Sequence, residues 1–166
     1  MVKYRTLRVP DLQKYGPRLE IEVGPPIVRT RTGLASPESG AQRGENRFSK
    51  MPALIDTGAG RTVVTPEVIN RLGLPKIDVT KLTRAGGITE NAGVYVAAIQ
   101  FPRYKLSTIE VINIVCCELP HQPIQCLLGR DVLSRWLFTY DGPSNAWEVQ
   151  EEDVAPWVTP PEGIDE

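Results

Sequence analysis

One aspartate in the chain follows an apolar run and precedes a small polar turn. Residues 53–59 read Ala-Leu-Ile-Asp-Thr-Gly-Ala. The apolar residues predict the end of a buried strand, and placing a carboxylate directly after one is costly unless the group has a use. Thr57 supplies a hydroxyl, and Gly58 lets the backbone approach a ligand or another chain closely. The pattern predicts that Asp56 does chemistry; the alternative is a turn aspartate that caps nearby amides.

A glycine-rich segment and a second apolar stretch follow Asp56 along the chain. Residues 85–92 read Ala-Gly-Gly-Ile-Thr-Glu-Asn-Ala and lie between two predicted extended arms, 77–84 and 93–101. This pattern predicts a hairpin with a mobile tip. Because the segment lacks the lysine and the following helix of a phosphate-binding loop, we interpret it as a lid. Residues 126–131 then read Cys-Leu-Leu-Gly-Arg-Asp and predict a strand that leads into a short helix.

The elements that must position these residues are mostly strands. The 15 prolines and 14 glycines are scattered between short β-branched runs, which is typical of a β-rich domain with many turns. Thr65-Pro66-Glu67 predicts the start of a short helix that ends at Gly73. Strands are predicted at 19–23, 49–55 and 62–64, a strand pair or one long strand at 106–117, and a hairpin at 136–149. Residues 1–17 are predicted to form an extended arm.

Length and composition indicate one domain and exclude several function classes. The 166 residues are predicted to form a domain over 1–150, with a long loop insertion at about 24–49, and an acidic, proline-containing tail over 151–166. The net charge of −1 gives no reason to expect nucleic acid or a membrane as a partner. No apolar run approaches the roughly 20 residues of a membrane span. The three cysteines and the polar start of the chain predict a cytoplasmic protein.

Four potential metal ligands lie within a short window. They are Cys116, Cys117, His121 and Cys126. Their types resemble a zinc site, but adjacent cysteines in a strand point to opposite faces of the sheet. His121 is the single histidine, so no Ser–His or Cys–His nucleophile is indicated. We therefore predict no metal and no cofactor.

Three elements in one order resemble the retropepsin-like aspartic proteases, the family of the retroviral proteases and their cellular relatives. Residues 53–59 resemble the catalytic signature, Gly86-Gly87 fall where the family has its flap, and 127–131 resemble its apolar-apolar-Gly-Arg-Asp/Asn segment. The resemblance covers roughly residues 50–140. It implies a mainly β, single-lobe fold: a closed, barrel-like domain with a flap hairpin and one or two short helices.

The resemblance also implies roles for individual residues. Asp56 matches the catalytic carboxylate, Thr57 the hydroxyl that hydrogen-bonds across to the partner subunit, and Gly58 the glycine that binds substrate backbone. Arg130 and Asp131 match positions of structural support. The positions that match substrate-binding ones are Ala59, Val63, Ala85, Gly86, Gly87, Ile88, Gln125 and Leu127. The chain departs from many retroviral relatives in having Gly60 where they have an acid, so an ion pair from Arg130 must find another partner.

Hydrolysis by this route needs two carboxyl groups that share one proton. One takes a proton from water while the other gives one to the carbonyl oxygen. Since no other aspartate repeats the Asp56 pattern, symmetry must supply the second carboxyl through a homodimer. The predicted function is an aspartic endopeptidase that acts on extended peptides. The alternative is a non-catalytic dimerisation or peptide-binding module with the same fold.

Overall fold

The computed structural model of the protein describes residues 2–6, 11–27, 29–30, 33–34, 47–84, 86–119 and 123–151. In chain order the strands are β1 (Val2–Thr6), β2 (Arg18–Gly24), β3 (Arg29–Thr30), β4 (Gly33–Leu34), β5 (Ser49–Ile55), β6 (Val63–Val64), β7 (Lys76–Thr83), β8 (Thr89–Gln100), β9 (Ile109–Cys116), β10 (Cys126–Leu128), β11 (Trp136–Asp141) and β12 (Ala146–Glu151). The helices are α1 (Leu12–Tyr15), α2 (Pro66–Leu72) and α3 (Arg130–Leu133). The described part of the chain is mainly β.

Six strands close into a barrel. The largest sheet has the order β2-β5-β10-β6-β9-β8-β7, and β2 also pairs with β8. The ring therefore returns to its first strand and leaves β7 outside it, paired with β8 alone within that sheet. A second sheet has the order β1-β12-β11. The predicted mainly β fold with a closed barrel and short helices is confirmed.

Strand β2 shows how the sequence makes the barrel interior. Leu19, Ile21 and Val23 are at most 1% exposed, while the residues between them are half-buried. This alternation places the apolar side chains on the inner face. Each such buried side chain contributes about 1.5–3 kcal/mol of hydrophobic free energy. The interior is continuous with Trp136 and Trp147 of the β11–β12 hairpin, so the two larger sheets share one core.

Strands β5 and β10 bring the two sequence motifs together. They pair in parallel, with Leu54 opposite Leu127 and Ile55 opposite Leu128. Parallel neighbours end at the same edge of a sheet, and the Asp56 amide continues the ladder by donating to the Leu128 carbonyl at 3.0 Å. The residue after β5, Asp56, and the residue after β10, Gly129, therefore lie side by side.

The beginning of the chain differs from the predicted extended arm. Residues 2–6 form β1, which pairs with β12, and the chain then forms α1. Leu12 of α1 is 1% exposed and packs in the main core, which explains why a helical turn forms here. α1 adds to the helices that the sequence indicates after Thr65 and Gly129, both of which the structure contains.

The predicted loop and tail fall largely outside the described residues. Within the predicted 24–49 loop, β3 and β4 pair as a short hairpin, and residues 28, 31–32 and 35–46 lie outside the described part. Residues 152–166 also lie outside it, so the division of the chain near residue 150 stays a prediction. None of the helices in the described ranges has the length and apolar character needed to cross a bilayer.

The β7–β8 hairpin forms where a hairpin was predicted, with shifted bounds; its role as a lid stays a prediction. Its strands end and begin at Thr83 and Thr89, so the connection is shorter than the predicted 85–92 tip. Gly86 and Gly87 have φ values of 99° and 81°, a backbone region that favours glycine. The Gly87 amide donates to the Arg84 carbonyl at 3.0 Å and closes the turn.

Candidate active site

The carboxylate of Asp56 is held by the backbone of its own loop. Its Oδ1 accepts hydrogen bonds from the Gly58 amide at 2.9 Å and the Ala59 amide at 3.2 Å. The side chain is half-buried, and no group among the described residues hydrogen-bonds to Oδ2. The loop therefore fixes one oxygen and leaves the other available to a ligand or a second protein chain.

A buried threonine stabilises the Asp56 loop through hydrogen bonds. Thr62 is fully buried, and both its amide and its hydroxyl donate to the Asp131 carboxylate, at 2.8 and 2.7 Å. The Gly129 amide in turn donates to the Thr62 hydroxyl at 3.2 Å. A Cβ on Gly129 would lie 2.4 Å from the carbonyl carbon of Arg61, so no larger residue fits here. Close backbone packing and buried hydrogen bonds together fix the two strand ends.

Arg130 holds the same loop through backbone carbonyls. Its amide donates to the Ala59 carbonyl at 2.9 Å, and its Nη1 donates to the Thr57 carbonyl at 3.1 Å. A longer contact of 3.5 Å reaches the Gly58 carbonyl. Among the described residues no carboxylate pairs with Arg130. The partner that replaces the missing acid at position 60 is therefore the peptide backbone of the Asp56 loop.

Two predicted substrate-binding residues meet in a small apolar cluster that is separate from the main core. Val63 of β6 lies opposite Leu127 of β10 in the ladder. We call this group the cleft cluster; its buried and partly buried members are Val63, Leu82, Ala92, Val115, Cys117, Leu119 and Leu127. Leu82 and Ala92 belong to the β7–β8 hairpin, so the cluster joins the hairpin to the strands beside Asp56.

Other predicted site residues are not members of the cleft cluster. The Gln125 side chain donates to Glu67 of α2 at 3.1 Å. Gly86 and Gly87 lie at the hairpin turn, and Ile88 beside them is 66% exposed. Ala85 lies outside the described residues. The structure thus places Val63 and Leu127 together in the cleft cluster, which does not include Ile88 of the hairpin turn.

An ion pair that the sequence reading missed flanks the hairpin turn. Arg84 Nε donates to Glu90 Oε1 at 2.8 Å, and Arg84 Nη2 contacts the same oxygen. This hydrogen bond raises the pKa of the Arg84 guanidinium. The Cys117 thiol of the cleft cluster lies 3.9 Å from the same Glu90 oxygen. The sequence did contain a signal for this ion pair: opposite charges flank Gly86-Gly87, and a hairpin turn there brings them together.

The cysteines show no arrangement that suits a metal. Burial raises the pKa of the Cys116, Cys117 and Cys126 thiols, which disfavours the thiolates that bind zinc. In the described part of the chain, no three side chains of histidine, cysteine, aspartate or glutamate are grouped to hold a metal ion. His121, the remaining candidate of the sequence window, lies outside that part.

Comparison with models of protein families assigns the sequence to a known family. Residues 46–135 match the family described as "gag-polyprotein putative aspartyl protease". The match spans more than half of the chain and includes Asp56, the β7–β8 hairpin and Asp131. The chain belongs to this family of retropepsin-like aspartic proteases. The resemblance seen in the sequence is thereby confirmed.

A solved structure of the same kind matches the protein over most of its length. It is the crystal structure of a retropepsin-like aspartic protease from Rickettsia conorii, which is 19% identical. The match covers 89% of each chain with a TM-score of 0.48. None of the curated protein sequences compared with the chain matches it.

Proposed function

We propose that this retropepsin-like protein is a homodimeric aspartic endopeptidase in which each subunit contributes Asp56 to one catalytic pair. The observation that carries the proposal is the state of the Asp56 carboxylate. Two backbone amides fix its Oδ1, while Oδ2 has no hydrogen-bond partner among the described residues. A fixed, half-buried carboxylate with one available oxygen suits an acid or base that must meet a second carboxyl and a water molecule.

One chain supplies one such carboxylate. The neighbouring acid, Asp131, uses both oxygens: Oδ1 accepts from the Thr62 hydroxyl and the Val132 amide, and Oδ2 accepts from the Thr62 amide. These contacts support a structural role for Asp131 and not the role of the second catalytic carboxyl. A two-fold dimer would bring a second Asp56 to the first. Thr57 is exposed, and its hydroxyl has no partner among the described residues, which suits the cross-subunit hydrogen bond that the family implies.

In this mechanism the two carboxyls divide the proton transfers between them. One Asp56 takes a proton from the attacking water, and its mate gives a proton to the carbonyl oxygen of the scissile peptide bond. The cleft cluster, with Val63 and Leu127, would receive apolar side chains of an extended substrate. The β7–β8 hairpin would close over the peptide and exclude water.

Replacing the catalytic oxygen tests the proposal directly. Asp56→Asn keeps the shape of the side chain but cannot act as a base, so we expect kcat to fall by about 1,000-fold or more. Sedimentation velocity should show the same dimer as the wild type. Asp141→Asn is the matched control, because Asp141 accepts the Ser144 amide in a hairpin turn and an asparagine oxygen can do the same. That variant should cleave peptides at the wild-type rate.

Mixing subunits tests whether the pair is shared. An equal amount of Asp56→Asn protein, added under conditions where subunits exchange, should reduce wild-type activity to about half, because mixed dimers hold a single working carboxyl. Unchanged activity in fully exchanged mixtures would contradict a shared pair. If wild-type dimers cleave no peptide library between about pH 4 and 7, the non-catalytic peptide-binding module becomes the better account.

A further inference from the structure

Two guanidinium groups belong to the loops that surround Asp56. Arg61 follows the Asp56 turn, and Arg130 begins α3. Both are exposed, and within the described ranges neither forms an ion pair with a carboxylate. Arg130 uses Nη1 for the Thr57 and Gly58 carbonyls, and its Nε and Nη2 make no hydrogen bond to described residues. The segments next to the Asp56 loop therefore carry two guanidinium groups whose donors are not all used.

Gly60 leaves the Arg130 side chain uncovered. A Cβ at this position would lie 3.5 Å from Arg130 Nη2, which is an ordinary contact distance. An acidic side chain at 60 could therefore reach the guanidinium, and the glycine supplies none. The backbone of Gly60 does not have positive φ, so the glycine is not required by the turn. What this position provides is open space beside Nη2.

The Arg61 backbone is anchored even though its side chain is exposed. The Ala59 carbonyl accepts the Arg130 amide at 2.9 Å, and the Thr62 amide donates to Asp131 at 2.8 Å. These bonds fix the chain on both sides of Arg61. Arginine presents a planar set of donors that matches a carboxylate in a bidentate geometry. The backbone that carries the Arg61 side chain is thus anchored next to the Asp56 loop.

Neither acid of these two loops forms an ion pair with Arg61 or Arg130 in the described part of the chain. Asp131 accepts from Thr62 and Val132, and Asp56 accepts from the amides of its own loop. We propose that Arg61 and Arg130 bind a carboxylate of the peptide substrate, so that the protein prefers peptides with an acidic group near the scissile bond. The carboxylate belongs either to an Asp or Glu side chain or to the peptide C-terminus. This inference rests on the proposed function, because it names the substrate class of the same site.

Paired peptides separate the two sources of the carboxylate. Each position on both sides of the cleaved bond is tested with Glu and with Gln, and each peptide is made with a free and an amidated C-terminus. At the position that meets the pair, kcat/KM for Glu should exceed that for Gln by about tenfold. A preference that disappears on amidation assigns the C-terminal carboxylate instead. Equal cleavage of Glu and Gln peptides at every position, with no effect of amidation, would overturn the inference.

Variants show whether these residues produce the preference. Arg61→Gln should bring the Glu/Gln ratio close to one, and Arg61→Glu should favour Lys over Glu at the same position. The matched control is Arg103→Gln, because Arg103 is also exposed but pairs with Glu20 at 2.7 Å. This control should keep the wild-type ratio. A ratio that Arg61→Glu leaves unchanged would contradict the assignment to Arg61.

Substitutions at position 60 test whether Arg130 binds the substrate carboxylate, and they leave the Arg130 side chain in place. Gly60→Asp puts a carboxylate next to Nη2, where it should occupy the guanidinium and reduce the Glu preference. Gly60→Ala adds the Cβ without the charge, so this variant should keep the Glu preference. If both variants, or neither, lose the preference, the carboxylate does not bind Arg130.

Binding without turnover distinguishes this inference from the proposed function. Fluorescence anisotropy with Asp56→Asn dimers should give about tenfold tighter binding of the Glu peptide than of the Gln peptide. That result together with no cleavage by wild-type dimers would support the carboxylate site and overturn the protease. If the wild type cleaves peptides but the Asp56→Asn dimers bind the Glu and Gln peptides equally, the protease is supported and the carboxylate site is overturned.

Discussion

The Asp56 loop and the β7–β8 hairpin lie on the two sides of the cleft cluster and are held in different ways. The loop is fixed by the buried Thr62 hydroxyl and by contact of the Gly129 backbone with its neighbours. The hairpin turn is exposed and is held by two backbone hydrogen bonds and the Arg84–Glu90 pair. Buried hydrogen bonds and close packing give high local stability, whereas exposed two-stranded segments open easily. The structure therefore holds the Asp56 loop by buried contacts and the hairpin turn by exposed ones.

The largest expected effect on stability comes from adding a side chain at Gly129. In Gly129→Ala the new Cβ would lie 2.4 Å from backbone of the opposite loop, so the strand ends must separate. We expect the free energy of unfolding to fall by about 3 kcal/mol or more. Urea denaturation measures this loss. Gly60→Ala is the control, since its Cβ meets only an ordinary contact at 3.5 Å. Similar midpoints for the two variants would show that the Asp56 loop is not tightly packed.

Local signals in the sequence predicted much of the hairpin and of the elements around the site. Thr65, Pro66 and Gly73 mark the two ends of α2, and Gly86-Gly87 mark the turn between β7 and β8. The apolar run before Asp56 indicated the end of β5. Each of these features depends on residues close together in the chain, which is why the pattern of a single segment was sufficient.

The hydrogen bonds that stabilise the Asp56 loop could not be predicted from a single segment of the sequence. The Thr62–Asp131 hydrogen bonds join residues 69 positions apart, and they exist because β5 and β10 pair in parallel. Sequence patterns predict that a strand exists but not which strand lies beside it. The same reason explains the missed β1: its partner, β12, lies at the other end of the described chain. The hydrogen bond from Gln125 to Glu67 likewise joins residues 58 positions apart, and a role of Gln125 in substrate binding stays a prediction.

A smaller effect is expected from the ion pair that flanks the hairpin turn. Glu90→Gln removes the charge that Arg84 contacts, while the backbone bonds of Arg84 and Gly87 remain. Hydrogen–deuterium exchange at residues 86–89 should become faster by up to about fivefold, the effect of losing a partly exposed ion pair. The double charge swap Arg84→Glu with Glu90→Arg should restore slow exchange. Exchange that the single variant leaves unchanged would mean that the backbone bonds alone hold the turn.

The smallest effect is a difference in reactivity between cysteines of the two regions. Cys126 in β10 is fully buried, Cys117 in the cleft cluster is 7% exposed, and Cys116 is half-buried. Burial raises the pKa of all three thiols above the ordinary value of 9.0, so each stays protonated near pH 7 and access decides the rate of alkylation.

Labelling with iodoacetamide, followed by mass spectrometry, should modify Cys116 first, Cys117 next and Cys126 last. The folded state holds these protons more tightly than the unfolded state, so the contribution of the thiols to stability is complete below the ordinary pKa of 9.0 and decreases as the pH rises further. Because the thiolate is the reactive form, alkylation should accelerate steadily as the pH rises from about 7 toward these raised pKa values, while the order of the three sites is kept. If Cys126 reacts as fast as Cys116 in the native protein, the strand that carries Gly129 opens as readily as the strands near the hairpin, and the contrast between the Asp56 loop and the hairpin is wrong.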